Sequence, residues 1–258
     1  MEKILREAFT KYHDVKIVEE NNIRKMMFGR GMCSEQSAID LSDPSIHVFD
    51  YSFLAMHSLL FCNYPSRILM IGLGGGIVQQ KMRELLPDTF IDIFEIDEEI
   101  LNISKEFFNF QESSKVKVHI GDAFELIKNV EDKYDIIFVD AYTSSYIPFP
   151  IMSKEFFENI YNCLSEDGVV ANNVANFHIL YRNQINTIYS VFGESIYGID
   201  GYTNPCTTTL FALKKDRSIS IPDTYKDFRF TPQKILITDR IKNTRIITIN
   251  DEGGTLWL

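Results

Sequence analysis

The sequence predicts an α/β chain, with a mostly parallel sheet covered by helices on both faces and closed by a late antiparallel hairpin. Three observations predict it. From residue 67 onward, short apolar runs alternate with segments whose apolar residues recur at helical spacing. The first run ends in a glycine-rich turn, IGLGGG, that opens directly into a helical pattern. Glu95, Asp122 and Asp140 each stand at the end of a predicted strand. Ligands of such sheets bind beyond the carboxyl ends of the strands, so these positions converge on a candidate site.

Ahead of the sheet, residues 15–41 read as a small antiparallel β-region. VKIVEE, a turn at Asn21-Asn22, IRKMMFG, then Gly31 and CSEQSAIDL make three short strands joined by tight turns. This region reads equally as a lid over a ligand cleft and as a structural or oligomerising extension. Asp43-Pro44 breaks the chain, and HVFDYSFLAMHSLLFC over 47–62 carries apolar residues at helical spacing. The expected division is a β-region with its lead-in helix over 1–62, followed by the α/β domain over 63–258.

The run at 67–71 is too short for a helix and reads as a buried parallel strand. Gly72, Gly74, Gly75 and Gly76 follow, then a helix carrying Ile77, Val78, Met82, Leu85 and Leu86. Residues 90–94 form the second strand, which closes on Glu95, 23 residues after Gly72. Strand, glycine turn, helix, strand and terminal acid make a nucleotide-binding unit. Its glycines let the backbone approach the ligand, and its carboxylate accepts from ribose hydroxyls. Two chemistries share the unit. Dinucleotide domains prefer a glycine where this chain has Ile77, whereas S-adenosylmethionine (AdoMet) folds use a looser glycine pattern.

Asp97 caps a helix running through Phe108, and Asp97-Glu98-Glu99 suits a helix N-terminus. Residues 115–120 form the third strand, which runs into Gly121-Asp122-Ala123 and a helix over 123–128. The fourth strand, 134–139, ends on Asp140, and the long aromatic loop AYTSSYIPFPIM follows. Tyr142 and Tyr146 in that loop read equally as acceptor-pocket lining and as space-filling rings. Ser153 starts the helix KEFFENIYNCL, and Glu166-Asp167-Gly168 turns into a fifth strand over 169–174. A helix over 177–192, a closing pair over 194–199 and 207–212, and a short strand near 235–237 complete the elements.

Composition narrows the function. Of 258 residues, 45% are hydrophobic and 24% charged, which suits a globular chain with a sizeable core. The net charge of −10 argues against a general nucleic-acid binder, which needs a basic face. An acidic balance suits a cationic ligand, and equally serves solubility. Cys33, Cys62, Cys163 and Cys206 form no C-x-x-C pair and read as reduced thiols of a cytoplasmic protein. No signal-peptide core and no apolar run of ~18 residues is present, so no membrane span is expected. His57 and His119 read as core or surface histidines, and His13, His47 and His178 lack metal-ligand spacing, so no metal is expected.

IGLGGG, FEIDEEI, HIGDAFELI, YDIIFVDA and SKEFFENIYNCLSEDGVV together resemble the spermidine synthase (polyamine aminopropyltransferase) family, within the Rossmann-like class I AdoMet-dependent methyltransferase fold. The likeness covers roughly residues 15–215, including the β-region before the nucleotide unit. It implies AdoMet or decarboxylated AdoMet as co-substrate, bound by the domain over 63–258. Glu95 then holds the ribose hydroxyls, Asp122 accepts from the adenine amino group with Ala123 beside the ring, and Gln36 touches the nucleoside. Gly72, Gly74 and Gly75 cradle the ligand. Asp140 matches the family's catalytic aspartate, and Tyr51 and Tyr142 lie on the acceptor side. Asp122 can also cap its helix, and a lone Asp such as Asp140 at a strand end also serves turns.

The departures from the family lie in the acceptor half. Its D-[ST]-[ST]-D loop is Asp140-Ala141-Tyr142-Thr143, its G-G-G-D-G turn has Gly75 for the aspartate, and its Tyr-His-Glu is Tyr51-Ser52-Phe53. Burying two cations without paired carboxylates costs several kcal/mol. The expectation is therefore a spermidine synthase-like transferase moving an aminopropyl-type group to a small amine other than ordinary putrescine. An AdoMet methyltransferase is the alternative, a non-catalytic nucleoside-binding scaffold is a third reading, and an NAD dehydrogenase is a distant fourth. The resemblance also implies a homodimer.

Overall fold

The computed structural model describes residues 2–29, 34–143, 147–219, 233–236 and 239–249. Four antiparallel strands open the chain in the order β1 (Lys3–Phe9), β2 (Asp14–Glu20), β3 (Ile23–Phe28) and β4 (Ser34–Asp40). Asn21 and Asn22 both take positive φ, 52° and 63°, which gives the two-residue turn the twist that the β2–β3 hairpin needs. The sequence reading has three strands here. It misses β1, an edge strand dotted with charge and largely exposed, whose inward residues Leu5 and Ala8 break strict alternation across a register shift between Ile4 and Arg6. Gly31 and Cys33 lie outside the described residues.

The main sheet has eight strands in the order β12-β10-β11-β9-β8-β5-β6-β7. Strands β5 (Arg67–Ile71), β6 (Phe90–Glu95), β7 (Val116–Ile120), β8 (Tyr134–Val139) and β9 (Leu164–Ala175) pair in parallel. Strands β10 (Ile196–Asp200), β11 (Thr207–Leu213) and β12 (Gln233–Lys234) add antiparallel pairings beside β9. β9 starts five residues earlier than its apolar run because Leu164 pairs with Tyr134 before the register shifts. The late strand falls on Gln233–Lys234, ahead of Ile235, and Ile237 lies outside the described residues.

Helices α1 (Asp50–Met56) and α2 (Ile77–Leu85) cover one face of the sheet. Leu54, Leu59, Val78 and Met82 pack there on Ile68, Met70, Ile93 and Phe211. The helix expected over 47–62 is α1 followed by a tighter turn over His57–Leu60, where Ser58 Oγ donates to the Ala55 carbonyl. The other face is covered by α4 (Ala123–Leu126), α5 (Lys154–Cys163) and α6 (Tyr181–Phe192), through Phe156, Phe157, Ile160, Ile185 and Ile188. Ser153 caps α5 as expected, accepting from the Phe156 N–H. A short α7 (Asp239–Lys242) follows β12.

The N-terminal sheet does not stand apart. Ile17, Met26, Phe28 and Ile39 pack on Ile77 of α2 and on Ile100, Ile103 and Phe108 in and after α3 (Glu98–Phe107). Burying Phe108 alone contributes roughly 2–3 kcal/mol. This packing sets β4 over the carboxyl ends of β5 and β6. No helix among the described residues is long and apolar enough to cross a membrane.

Candidate active site

A cavity of about 620 Å³ opens between those strand ends and the N-terminal sheet, within the size range of small-molecule sites. Five carboxylate residues line it: Glu35, Asp50, Glu95, Asp122 and Asp140. Among the described residues no lysine or arginine does. The one histidine, His13, stacks on Phe28 with ring centroids 4.2 Å apart, and burial holds its pKa below the usual value. The described lining therefore carries an excess of acidic groups, offset at Glu35 by its ion pair with Lys25.

Gly72 forms the floor where β5 meets β8. Its φ is +97°, and a Cβ there would stand 2.2 Å from the Asp140 carbonyl oxygen. Only a residue without a side chain lets the two strand ends approach this closely. Gly74 also lines the cavity, but Gly75 does not. Its N–H donates to Ser37 Oγ at 2.9 Å, and the residue faces Ser37 and Phe108 behind the turn. The expected ligand contact at Gly75 finds no support in the cavity lining, because the turn leans on β4 at that residue.

Glu95 is 6% exposed and held in place by main-chain donors, Leu73 N–H to Oε2 at 2.9 Å and Asp97 N–H to Oε1 at 3.0 Å. Burial pushes its carboxyl up to about 7, despite these bonds. Each oxygen keeps acceptor capacity toward the cavity. Asp122 lines the cavity and also caps α4, accepting from the Phe124 N–H at 2.9 Å, so its two sequence readings coexist geometrically. Ala123 and Gln36 line the same space, and Gln36 Nε2 donates to Ser34 Oγ.

Asp140 ends β8 at the other side of Gly72. Asn173 Nδ2 donates to its Oδ1 at 2.8 Å, and burial pushes the carboxyl up to about 6 against that bond's lowering effect. Asn173 is itself locked, since Thr207 Oγ1 donates to its Oδ1 and Tyr142 Oη donates to its carbonyl oxygen. Tyr51 and Tyr142 both line the cavity, and burial raises both phenols. Tyr51 Oη lies 3.4 Å from Ser37 Oγ. Tyr146 lies outside the described residues.

Sequence reading passes over Asn173, Asp50 and Glu35. Asn173 is polar within an apolar strand, a usable signal; Asp50 and Glu35 look like ordinary surface acids until the chain folds. Among the described residues no three His, Cys, Asp or Glu side chains are grouped to hold a metal ion.

The fold defines a class I methyltransferase-like α/β protein with an acid-lined cleft at the strand ends. The chain belongs to the spermine/spermidine synthase family, whose domain model matches residues 49–197. It is 36% identical over 196 residues to the polyamine aminopropyltransferase of Vibrio vulnificus, a transferase. That alignment covers 74% of this chain and 66% of the relative, just under two thirds of its length. A probable spermidine synthase from Corynebacterium glutamicum superposes with a TM-score of 0.73 at 18% identity, covering 86% of this chain and 84% of that one. Human methyltransferase-like protein 13 in complex with SAH superposes at 0.61 and 21% identity, covering 68% and 86%. Both likenesses are likenesses of fold.

Proposed function

We propose that the chain is an aminopropyltransferase, moving the aminopropyl group of decarboxylated AdoMet to a small amine and releasing methylthioadenosine. The observation that carries this reading is the cavity lined by five carboxylate residues and, among the described residues, by no lysine or arginine. Sulfonium and ammonium groups are drawn into such a site, while the extra carboxylate of intact AdoMet meets no lysine or arginine among the described lining residues. The relatives' activity points the same way.

In this reading Glu95 takes the ribose hydroxyls and Asp122 with Ala123 takes the adenine edge, beside Gln36, Gly72 and Gly74. The sulfonium supplies an electrophilic carbon. Transfer is an in-line displacement: the amine nitrogen forms a bond to that carbon as the carbon–sulfur bond breaks and its electron pair returns to sulfur. The acceptor enters as an ammonium, whose free pKa is near ~10, and must lose a proton. Asp140 takes it. A carboxylate poised near 6 is a better base than an ordinary one, and Asn173 aims it. Tyr51 and Tyr142 flank the acceptor. The family layout and the free thiols Cys62, Cys163 and Cys206 support a homodimer in the cytoplasm as part of the same proposal.

Calorimetric titration with decarboxylated AdoMet, AdoMet, methylthioadenosine and NAD, followed by chromatography of the products, tests the reading. Tighter binding of decarboxylated AdoMet, with methylthioadenosine formed in the presence of an amine, is the expected result. S-adenosylhomocysteine as product would replace it with methyl transfer. A folded protein that binds none of the four is a scaffold.

A further inference from the structure

We propose that Asp50 holds the far ammonium of the acceptor, so that the acceptor is an α,ω-diamine gripped between Asp50 and Asp140. This rests on the aminopropyl-transfer reading and adds the residue that selects the substrate. The family's acceptor-side acids are Thr143 and Phe53 in this chain, so the family pattern leaves one carboxylate where a diamine brings two cations. The fold supplies the second from another position.

Asp50 opens α1 and lines the cavity. Its Oδ2 accepts from the main-chain N–H groups of Thr203 and Asn204, both at 2.7 Å. These two bonds fix the carboxylate on the β10–β11 turn, and among the described residues Oδ1 has no donor. The turn is shaped for that approach. A Cβ on Gly201 would stand 2.9 Å from Asp50 Oδ2, 2.8 Å from Thr207 Cγ2 and 2.2 Å from the Asn204 carbonyl oxygen. Thr207 in turn donates to Asn173 Oδ1, and Asn173 donates to Asp140. One continuous wall of side chains and turn backbone therefore carries a fixed carboxylate at each end.

The two ends suit different amines. Asp140, half-buried and pushed up to about 6, suits the amine that must give up its proton. Asp50 is anchored by main-chain donors at the polar rim, beside Tyr51, Thr207 and Asn204. There it pairs with an ammonium that stays charged throughout. A monoamine of the same length leaves that carboxylate without a cation, whereas a diamine satisfies both ends. The preference is thus one charge-assisted hydrogen bond at the far end, which amounts to roughly ten- to hundredfold in affinity.

The test is steady-state kinetics on the full chain with decarboxylated AdoMet as donor. The acceptors are the three-, four- and five-carbon α,ω-diamines and n-butylamine, and Asp50→Asn is compared with wild type. Wild type is expected to favour a diamine over n-butylamine. In D50N the ratio of kcat/KM for that diamine to kcat/KM for n-butylamine falls at least about tenfold, through KM, while affinity for methylthioadenosine stays within twofold. The isosteric amide keeps one oxygen for the Thr203 and Asn204 N–H groups, and a thermal melt checks that it does. If D50N lowers both acceptors by the same factor, or loses thermal stability and methylthioadenosine affinity together, Asp50 merely braces the turn and the proposal is overturned. A wild type that transfers to amines, beside a D50N with unchanged preference, overturns this proposal alone. A wild type that transfers to no amine overturns the aminopropyl reading beneath it.

Discussion

Asn173 and Asp140, on neighbouring strands and 33 residues apart, meet in a single hydrogen bond of 2.8 Å from the Asn173 amide to Asp140 Oδ1. That bond favours the ionised carboxylate, whereas burial favours the protonated one. Removing it in Asn173→Ala leaves burial unopposed. The acidic limb of the kcat/KM profile for transfer to an amine is expected to move to higher pH. The maximum falls roughly tenfold, because Asp140 is no longer aimed. A limb that stays in place would show that Asp140 is not the titrating base.

Asp140 itself sets a pH window. With its folded pKa near 6, the enzyme loses its base as pH falls through 6, so kcat/KM for the amine at saturating donor drops there, below the limb near 7 that Glu95 sets on donor binding. Asp140→Asn removes the Asp140 limb and costs at least about a hundredfold in rate. Stability runs the other way. The folded pKa lies above the ordinary 3.8, so the contribution is fully present below 3.8 and is lost as pH rises through 6. The loss is at most roughly 3 kcal/mol. D140N therefore melts several degrees above wild type at pH 8, and the gap closes at pH 4. Melts at the two pH values check the sign.

The centre of the main sheet was legible because β5, β6 and β8 are buried and read as apolar runs that end at Gly72, Glu95 and Asp140, whereas β7 at the edge alternates apolar and polar residues before Gly121. Glu95, Asp122 and Asp140 follow from strand ends alone. What sequence could not supply depends on contacts between distant segments. Asp50 meets the turn at 203–204 across more than 150 residues, and Asn173 gains its role only when β11 pairs with β9 and brings Thr207 beside it. Gly75 looked like cavity backbone because Gly72 and Gly74 beside it line the cavity. The Ser37 hydroxyl from β4, 38 residues earlier, turns its N–H away. β1 was hidden for a different reason: its inward residues, Leu5 and Ala8, stand three apart because the register shifts between Ile4 and Arg6, so no alternate-residue trace is left.

Glu95 offers a cleaner test of the nucleoside half. Its two oxygens accept from Leu73 and Asp97 N–H groups, so Glu95→Gln must turn an NH2 toward one of those donors. The turn after β5 loses an acceptor and the ribose loses a charged one. Affinity for methylthioadenosine is expected to fall ten- to hundredfold. Asp140→Asn, on the acceptor side, should leave that affinity nearly unchanged. Calorimetry on the two variants separates the halves of the site, and equal losses in both would deny the division.

Gly72→Ala tests whether the cavity floor is as tightly closed as its geometry requires. The added methyl meets the Asp140 carbonyl oxygen at 2.2 Å, and that oxygen belongs to main chain fixed by the Asp140 N–H bond to Ile71. Relief must come from parting β5 and β8 at their carboxyl ends. A positive φ adds roughly 1–2 kcal/mol for any residue with a Cβ. The variant is expected to melt at least several degrees lower, and to lose methylthioadenosine binding and transfer together, because Glu95 and Asp140 hang on the two strand ends that must separate. A G72A protein with wild-type melting and wild-type affinity would mean that the strand ends are free to part, and that the spacing of the two carboxylates is not set by the sheet.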